Sequence, residues 1–111
     1  MKKISFIING TAKGKDRLIG KLRENLIGHE VIFYETTYAG EAMDLAQKAV
    51  TNSTDILIAV GGDGSLNEVV NGCLRCEPEL TQEVTMGVFP FGSGNDFARS
   101  IGVSADVEQL H

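Results

Sequence analysis

No stretch of this 111-residue chain approaches the ~18–20 consecutive apolar residues that a membrane-crossing helix needs. Met1-Lys2-Lys3 carries the charge of a secretory leader. The apolar run behind it, Ile4–Ile8, is broken by Ser5 and stops at Asn9-Gly10, short of the roughly 7–15 apolar residues of such a leader. Cysteine is scarce: Cys73 and Cys76 make no disulfide scaffold, and a reduced, cytoplasmic setting is expected. Positive charge is in deficit, with 10 Lys and Arg against 15 Asp and Glu, a net of −5. Bulk charge therefore offers no grip on nucleic acid or on an anionic membrane surface. Low-complexity tracts and linkers are missing too. What remains, 42% hydrophobic residues, suffices for a core, and the length suits one domain.

Glycine is the exception to this scarcity, with 13 residues that cluster instead of scattering. They punctuate a pattern repeated four times: a short apolar run, a glycine-rich or polar turn, then a helical stretch. The apolar runs are Ile4–Ile8, Val31–Tyr34, Ile56–Val60 and Met86–Phe89, rich in Val, Ile and Phe as buried strands require. Between them the period becomes 3.6. Leu18, Ile19, Leu22, Leu26 and Ile27 form one helical face, stopped by Gly28. Ala42, Leu45, Ala46, Ala49 and Val50 form a second, and Leu66, Val69, Val70, Cys73 and Leu74 a third. Phe97, Ala98 and Ile101 begin a fourth. Alternation of this kind predicts an α/β fold of four βα units with right-handed crossovers: a three-layer parallel sheet. Strand order 2-1-3-4 brings the first, third and fourth turns together; 3-2-1-4 is the competing order. The capped helix start at Ser104–Glu108 so near His111 suggests the front part of a longer protein.

Ligands of open parallel sheets bind beyond the carboxyl ends of the strands, where three of these runs pass into glycine turns. Asn9-Gly10-Thr11-Ala12-Lys13-Gly14-Lys15 lacks one spacer and the hydroxyl of a Walker A loop. It reads equally as a tight turn with solvated lysines or as a phosphate-side loop. Gly61-Gly62-Asp63-Gly64-Ser65 fails the dinucleotide fingerprint, because Asn67 stands where glycine belongs. It still presents bare backbone N–H groups at the start of a helix, which suits an anion. Ser65 and Glu68 have the spacing of a capping box. Capping does not account for Asp63 among three glycines, a carboxylate that calls for a cation or a sugar hydroxyl. Gly92-Ser93-Gly94-Asn95-Asp96 repeats the design after the fourth strand, with a polar pair suited to a nucleotide and its metal. Cys73-x-x-Cys76 has no second pair of soft ligands, so Cys73 reads as core.

Two of these segments resemble a known family. Gly61-Gly62-Asp63-Gly64-Ser65 with Glu68, Val69, Asn71 and Gly72 resembles the G-G-D-G-[TS]-x-x-E-V-x-N-G signature of diacylglycerol kinase catalytic domains. Pro90-x-Gly92-Ser93-x-Asn95-Asp96-Phe97-Ala98 resembles their P-x-G-[ST]-x-N-D-[FL]-A element. The resemblance covers essentially the whole chain and implies an ATP-binding, phosphofructokinase-like, Rossmann-like domain over residues 1–111. It implies a lipid kinase that moves the γ-phosphoryl of ATP to a lipid hydroxyl with Mg²⁺. The alternatives are an NAD-kinase-like or sphingoid-base-kinase-like domain, and a non-catalytic nucleotide-binding module.

Carried over by position, the resemblance assigns nucleotide binding to Asn9, Thr36, Gly61, Gly62, Asp63, Gly64, Ser65, Glu68, Gly92, Ser93 and Asn95, and metal to Asp63 and Asp96. The family's opening loop reads N-P-x-[SA]-G, and here Gly10 replaces the proline. The β-rich second half of the family, which supplies the general base and much of the lipid site, has no counterpart in these residues. The expected partners are thus ATP here and the lipid acceptor through that second half. Nucleic acid is excluded and membrane contact is peripheral at most; the resemblance leaves room for a homodimer.

Overall fold

The computed structural model describes residues 1–91. Eight elements follow in order: β1 (Lys3–Asn9), α1 (Lys15–Asn25), β2 (Glu30–Thr36), α2 (Glu41–Thr51), β3 (Ile56–Gly61), α3 (Asp63–Leu74), α4 (Pro78–Thr81) and β4 (Thr85–Pro90). The four strands pair in parallel in the order β2-β1-β3-β4, the arrangement that makes the first, third and fourth turns neighbours. The fourth expected helix, with Phe97, Ala98 and Ile101, lies outside the described residues. The short α4, opened by Pro78, was not foreseen.

Strand pleating sorts the core into two halves. On one face Ile4, Phe6 and Ile8 of β1 join Ile56, Ile58 and Val60 of β3 and Phe89 of β4 beneath Leu22 and Leu26 from α1 and its end. On the other, Ile7, Leu57 and Ala59 meet Ala42, Ala46, Ala49 and Val50 of α2 and Val69 and Cys73 of α3. The sheet is thus sandwiched, as alternating βα units require. Burial of Cys73 pushes its thiol pKa up, with Cys76 adding to the shift, as befits a core residue.

The helical faces are narrower than their apolar spacing suggests. Ile27 and Leu74 were both expected on buried faces, yet they are 81% and 75% exposed. α1 ends at Asn25, so Ile27 lies past the helix and off its face. Leu74 is the last residue of α3 and is turned away from the core that its neighbour Cys73 enters. β2, expected as a buried strand, is half-buried from Val31 to Tyr34 because it is paired on one side only among the described residues. Its Phe33 stacks on Phe6 with ring centroids 5.1 Å apart and carries the Arg23 guanidinium over its ring, 4.8 Å from the centroid.

α2 and α3 pack closely because a glycine stands between them. A Cβ at Gly72 would lie 2.3 Å from the Met43 carbonyl oxygen and 2.8 Å from the Ala46 Cβ. One of the two clashing partners is backbone, so relief requires the helices to part. Gly72→Ala is expected to destabilise the fold by about 1–3 kcal/mol, the usual cost of overpacking. Thermal or urea unfolding of the variant checks this; an unchanged midpoint contradicts the close contact.

Candidate functional site

Level strand ends create the site. Asn9 pairs with Thr36 across β1 and β2, Ile8 with Val60 across β1 and β3, and Gly61 with Pro90 across β3 and β4. All four strands therefore release their chains at one sheet edge. A cleft of about 360 Å³ opens there, lined among others by Asn9, Thr11, Thr36, Tyr38, Ser65 and Glu68. Four of the residues singled out from the sequence, Asn9, Thr36, Ser65 and Glu68, meet in this cleft. Gly61, Gly62, Asp63 and Gly64 form the turn that leads into Ser65. Gly92, Ser93, Asn95 and Asp96 lie outside the described residues.

The first loop is held by its own side chain. Asn9 Oδ1 accepts hydrogen bonds from the Thr11 N–H at 2.9 Å and the Thr11 hydroxyl at 2.8 Å. Gly10, which replaces the family's proline, uses the N–H that proline lacks: it donates to the Thr36 carbonyl at 3.0 Å. That bond ties the β1 exit to the β2 exit. Lys15 is paired with Glu35, and the hydrogen bond to that carboxylate raises the lysine pKa. The ammonium is thereby committed to β2, which favours the tight-turn reading of this loop over a phosphate grip through Lys15.

The second loop, from β2 to α2, was signalled in the sequence only by Thr36, through the family resemblance. The structure adds Thr37 and Tyr38 to the cleft wall. Glu41 Oε1 accepts from the Thr37 N–H at 2.6 Å and from its hydroxyl at 3.0 Å, fixing the loop against the first turn of α2. The Tyr38 hydroxyl donates to Asp44 Oδ2 at 3.4 Å, and Arg75 Nη1 holds the other Asp44 oxygen at 3.2 Å. The available signal was position: a Thr-Thr-Tyr run directly after a strand of the same parallel sheet, at the same edge as the glycine turns.

The third loop corrects the expected capping box. α3 begins at Asp63, with Gly62 in the N-cap position, and no side chain caps it. Ser65 is therefore the third helical residue, one turn deeper than a capping serine. The chain makes its bend earlier, at Gly61, whose φ of 145° is foreign to residues with a side chain. A Cβ on Gly61 would also lie 2.5 Å from the Ser65 Oγ. Asp63 now sits in the first turn, where a carboxylate is favoured by the helix dipole, so its place needs no cation to explain it.

The first intrahelical bond runs from the Leu66 N–H to the Gly62 carbonyl at 3.1 Å, which leaves the N–H groups before it without helical partners. Among the described residues, a Cβ built on Gly62 or Gly64 meets nothing within 4 Å, so the space beside that turn is open. Donors and space together fit a phosphate chain. Among the described residues no three His, Cys, Asp or Glu side chains gather as metal ligands. Asp63 alone fits the way Mg²⁺ is ordinarily held, by one or two carboxylates with phosphate oxygens and water.

The diacylglycerol kinase catalytic domain family matches residues 3–111. A diacylglycerol kinase of Bacillus subtilis (strain 168) is 39% identical over 108 residues, spanning 93% of this chain and 34% of its own length. A diacylglycerol kinase of Staphylococcus aureus (strain bovine RF122 / ET3-1) is 38% identical over 112 residues, spanning 96% of this chain and 34% of its own. A crystal structure described as a diacylglycerol kinase from Bacillus anthracis str. Sterne superposes with a TM-score of 0.65 at 26% identity, over 96% of this chain and 39% of that one. The chain thus spans about a third of the length of the curated relatives it matches. With the glycine-Asp turn, the level strand ends and the matched span in agreement, the chain belongs to the diacylglycerol kinase catalytic domain family.

Proposed function

We propose that this chain is the ATP-binding part of a lipid kinase that transfers the γ-phosphoryl group of ATP to a lipid hydroxyl of the diacylglycerol class. The observation that carries this reading is the open glycine turn Gly62-Asp63-Gly64, whose N–H groups at the head of α3 have no helical partner, beside a cleft lined by Asn9, Thr36, Ser65 and Glu68. Phosphoryl transfer asks a protein chiefly to position the nucleotide and to balance its charge. Backbone N–H groups at the turn suit the phosphate oxygens, and Thr36, Glu68 and Asn9 supply polar contacts for the rest of the nucleotide. Asp63 would hold Mg²⁺ together with the phosphates, and the ion would neutralise charge on them. Asp96 is proposed as its companion from its place in the family element.

In the reaction the acceptor hydroxyl oxygen bonds to the γ-phosphorus, the bond from that phosphorus to ADP breaks, and the hydroxyl proton leaves to a base. That base and the lipid-binding surface are assigned to the part of the longer relatives that this chain does not span. Among the described residues no helix is long and apolar enough to cross a membrane, so lipid would be met at a surface.

Titration of the ¹⁵N-labelled chain with ATP and Mg²⁺ tests the site. The expected amide shifts cluster at residues 61–68 and around Asn9 and Thr36; shifts confined to other surfaces reject it. A second test uses Gly64. That residue lies inside the helix start with no positive φ, so a side chain there brings no backbone strain. It would fill the open space beside the turn. Gly64→Val is expected to keep the melting temperature within a few degrees while weakening ATP roughly tenfold, about 1.4 kcal/mol. Unchanged affinity in a folded variant contradicts the phosphate cradle.

A further inference from the structure

Among the described residues Tyr38 is the one aromatic side chain lining the cleft, and it is 59% exposed. An exposed ring on a cleft wall is costly to leave in water and ordinarily floppy. This one is tethered at its far end. Its hydroxyl bonds to Asp44 on α2, and Asp44 is clamped in turn by Arg75 at the end of α3. The chain Tyr38–Asp44–Arg75 thus spans the β2–α2 loop and two helices. Partial desolvation, then the charges of Asp44 and Glu41, raise the phenol pKa, so the hydroxyl stays a neutral donor to Asp44 at physiological pH. The loop beneath is itself fixed by the two hydrogen bonds from Thr37 to Glu41. A pre-ordered ring with free area loses little entropy when something flat covers it.

Placement says what that something is. The open glycine turn stands at the end of β3, and Tyr38 stands just beyond the end of β2. β1 lies between these two strands, so the two features are separated by two strand spacings, roughly 10 Å. A ligand with its phosphates at the glycine turn extends its other end across Asn9 and Thr36 towards Tyr38. We infer that Tyr38 is a stacking platform for the nucleobase and sets a preference for purine over pyrimidine nucleotides. The inference rests on the nucleotide reading of the cleft and deepens it. Stacking is tolerant of base identity but scales with the area of the π-face, so ATP and GTP gain alike and UTP gains less. The hydroxyl contributes the tether and the ring contributes the stacking surface.

The experiment compares the affinities of ATP, UTP and inorganic tripolyphosphate, each with Mg²⁺, for the 111-residue chain and for Tyr38→Ala and Tyr38→Phe. Tyr38→Ala is expected to lose roughly tenfold in ATP affinity, the scale of one aromatic–base stack, and to bind tripolyphosphate as before. Tyr38→Phe keeps most of the ATP affinity, and the unaltered chain binds ATP more tightly than UTP. In that unaltered chain the Tyr38 ring protons shift upfield on addition of ATP and stay in place with tripolyphosphate, a readout that holds even if Tyr38→Ala does not fold. Equal ATP affinity in a folded Tyr38→Ala, or equal losses for ATP and tripolyphosphate, overturns the platform while leaving the cleft reading intact. An unaltered chain that binds neither ATP nor tripolyphosphate overturns the nucleotide reading, and the platform with it.

Discussion

Parallel pairing of β1 on both of its flanks is the constraint on which the rest depends. Residues 4–8 of β1 are matched to β2 on one side and to β3 on the other, and all five are buried. A strand pinned in that way fixes two registers at once. A one-residue slip on either side would exchange the Phe6 face for the Ile7 face and expose one core to water. Because the registers are level, Asn9, Thr36 and Gly61 emerge side by side, and three loops remote in sequence share one edge. The cleft is in this sense a by-product of where the strands end.

The glycines that make the chain distinctive divide by purpose. Gly72, although part of the family signature, is spent on packing: it lets α3 approach the Met43 carbonyl of α2. Gly61 is spent on the bend before α3 and on room for Ser65. Gly62 and Gly64 have open space where a side chain would stand, and they alone of these four leave a surface for a ligand. A motif read as one functional unit therefore contains two glycines that serve packing and two that the proposed phosphate site uses.

The architecture was legible because aliphatic runs and 3.6-residue faces are set by burial, and burial governs this sheet. Ala42, Ala46, Ala49 and Val50 are buried as their spacing predicts. Strand order followed from the need for the glycine turns to converge. Element ends were less legible: Ile27 lies past the end of α1 and Leu74 is the last residue of α3, both exposed, and a periodic pattern carries no mark of where its helix ends. The capping box at Ser65 failed for a related reason. Sequence spacing fixes which residues lie a turn apart but not the residue at which the helix begins, and the bend at Gly61 moved that point forward. Tyr38 escaped notice because a tyrosine in a loop has no periodicity; its role depends on Asp44 and Arg75, which are near it only once α2 and α3 are packed.

The opposite edge of the sheet is built to the contrary plan. Ser5 and Thr54 share a buried hydrogen bond of 2.8 Å, and Thr54 donates to the Ile56 carbonyl at 2.9 Å. Asp55 accepts from the Lys3 N–H at 2.8 Å, while the Lys3 ammonium reaches the Asn52 carbonyl at 2.6 Å. Apart from the local Thr54–Ile56 bond, these contacts lash together segments about fifty residues apart at the amino ends of β1 and β3. No comparable lashing joins the carboxyl ends of those two strands among the hydrogen bonds of the described residues. Between β1 and β3 the amino edge is thus the more firmly fastened of the two. Backbone amides at the amino edge should exchange with solvent most slowly, and local opening should begin where β1 and β3 part at the mouth of the cleft.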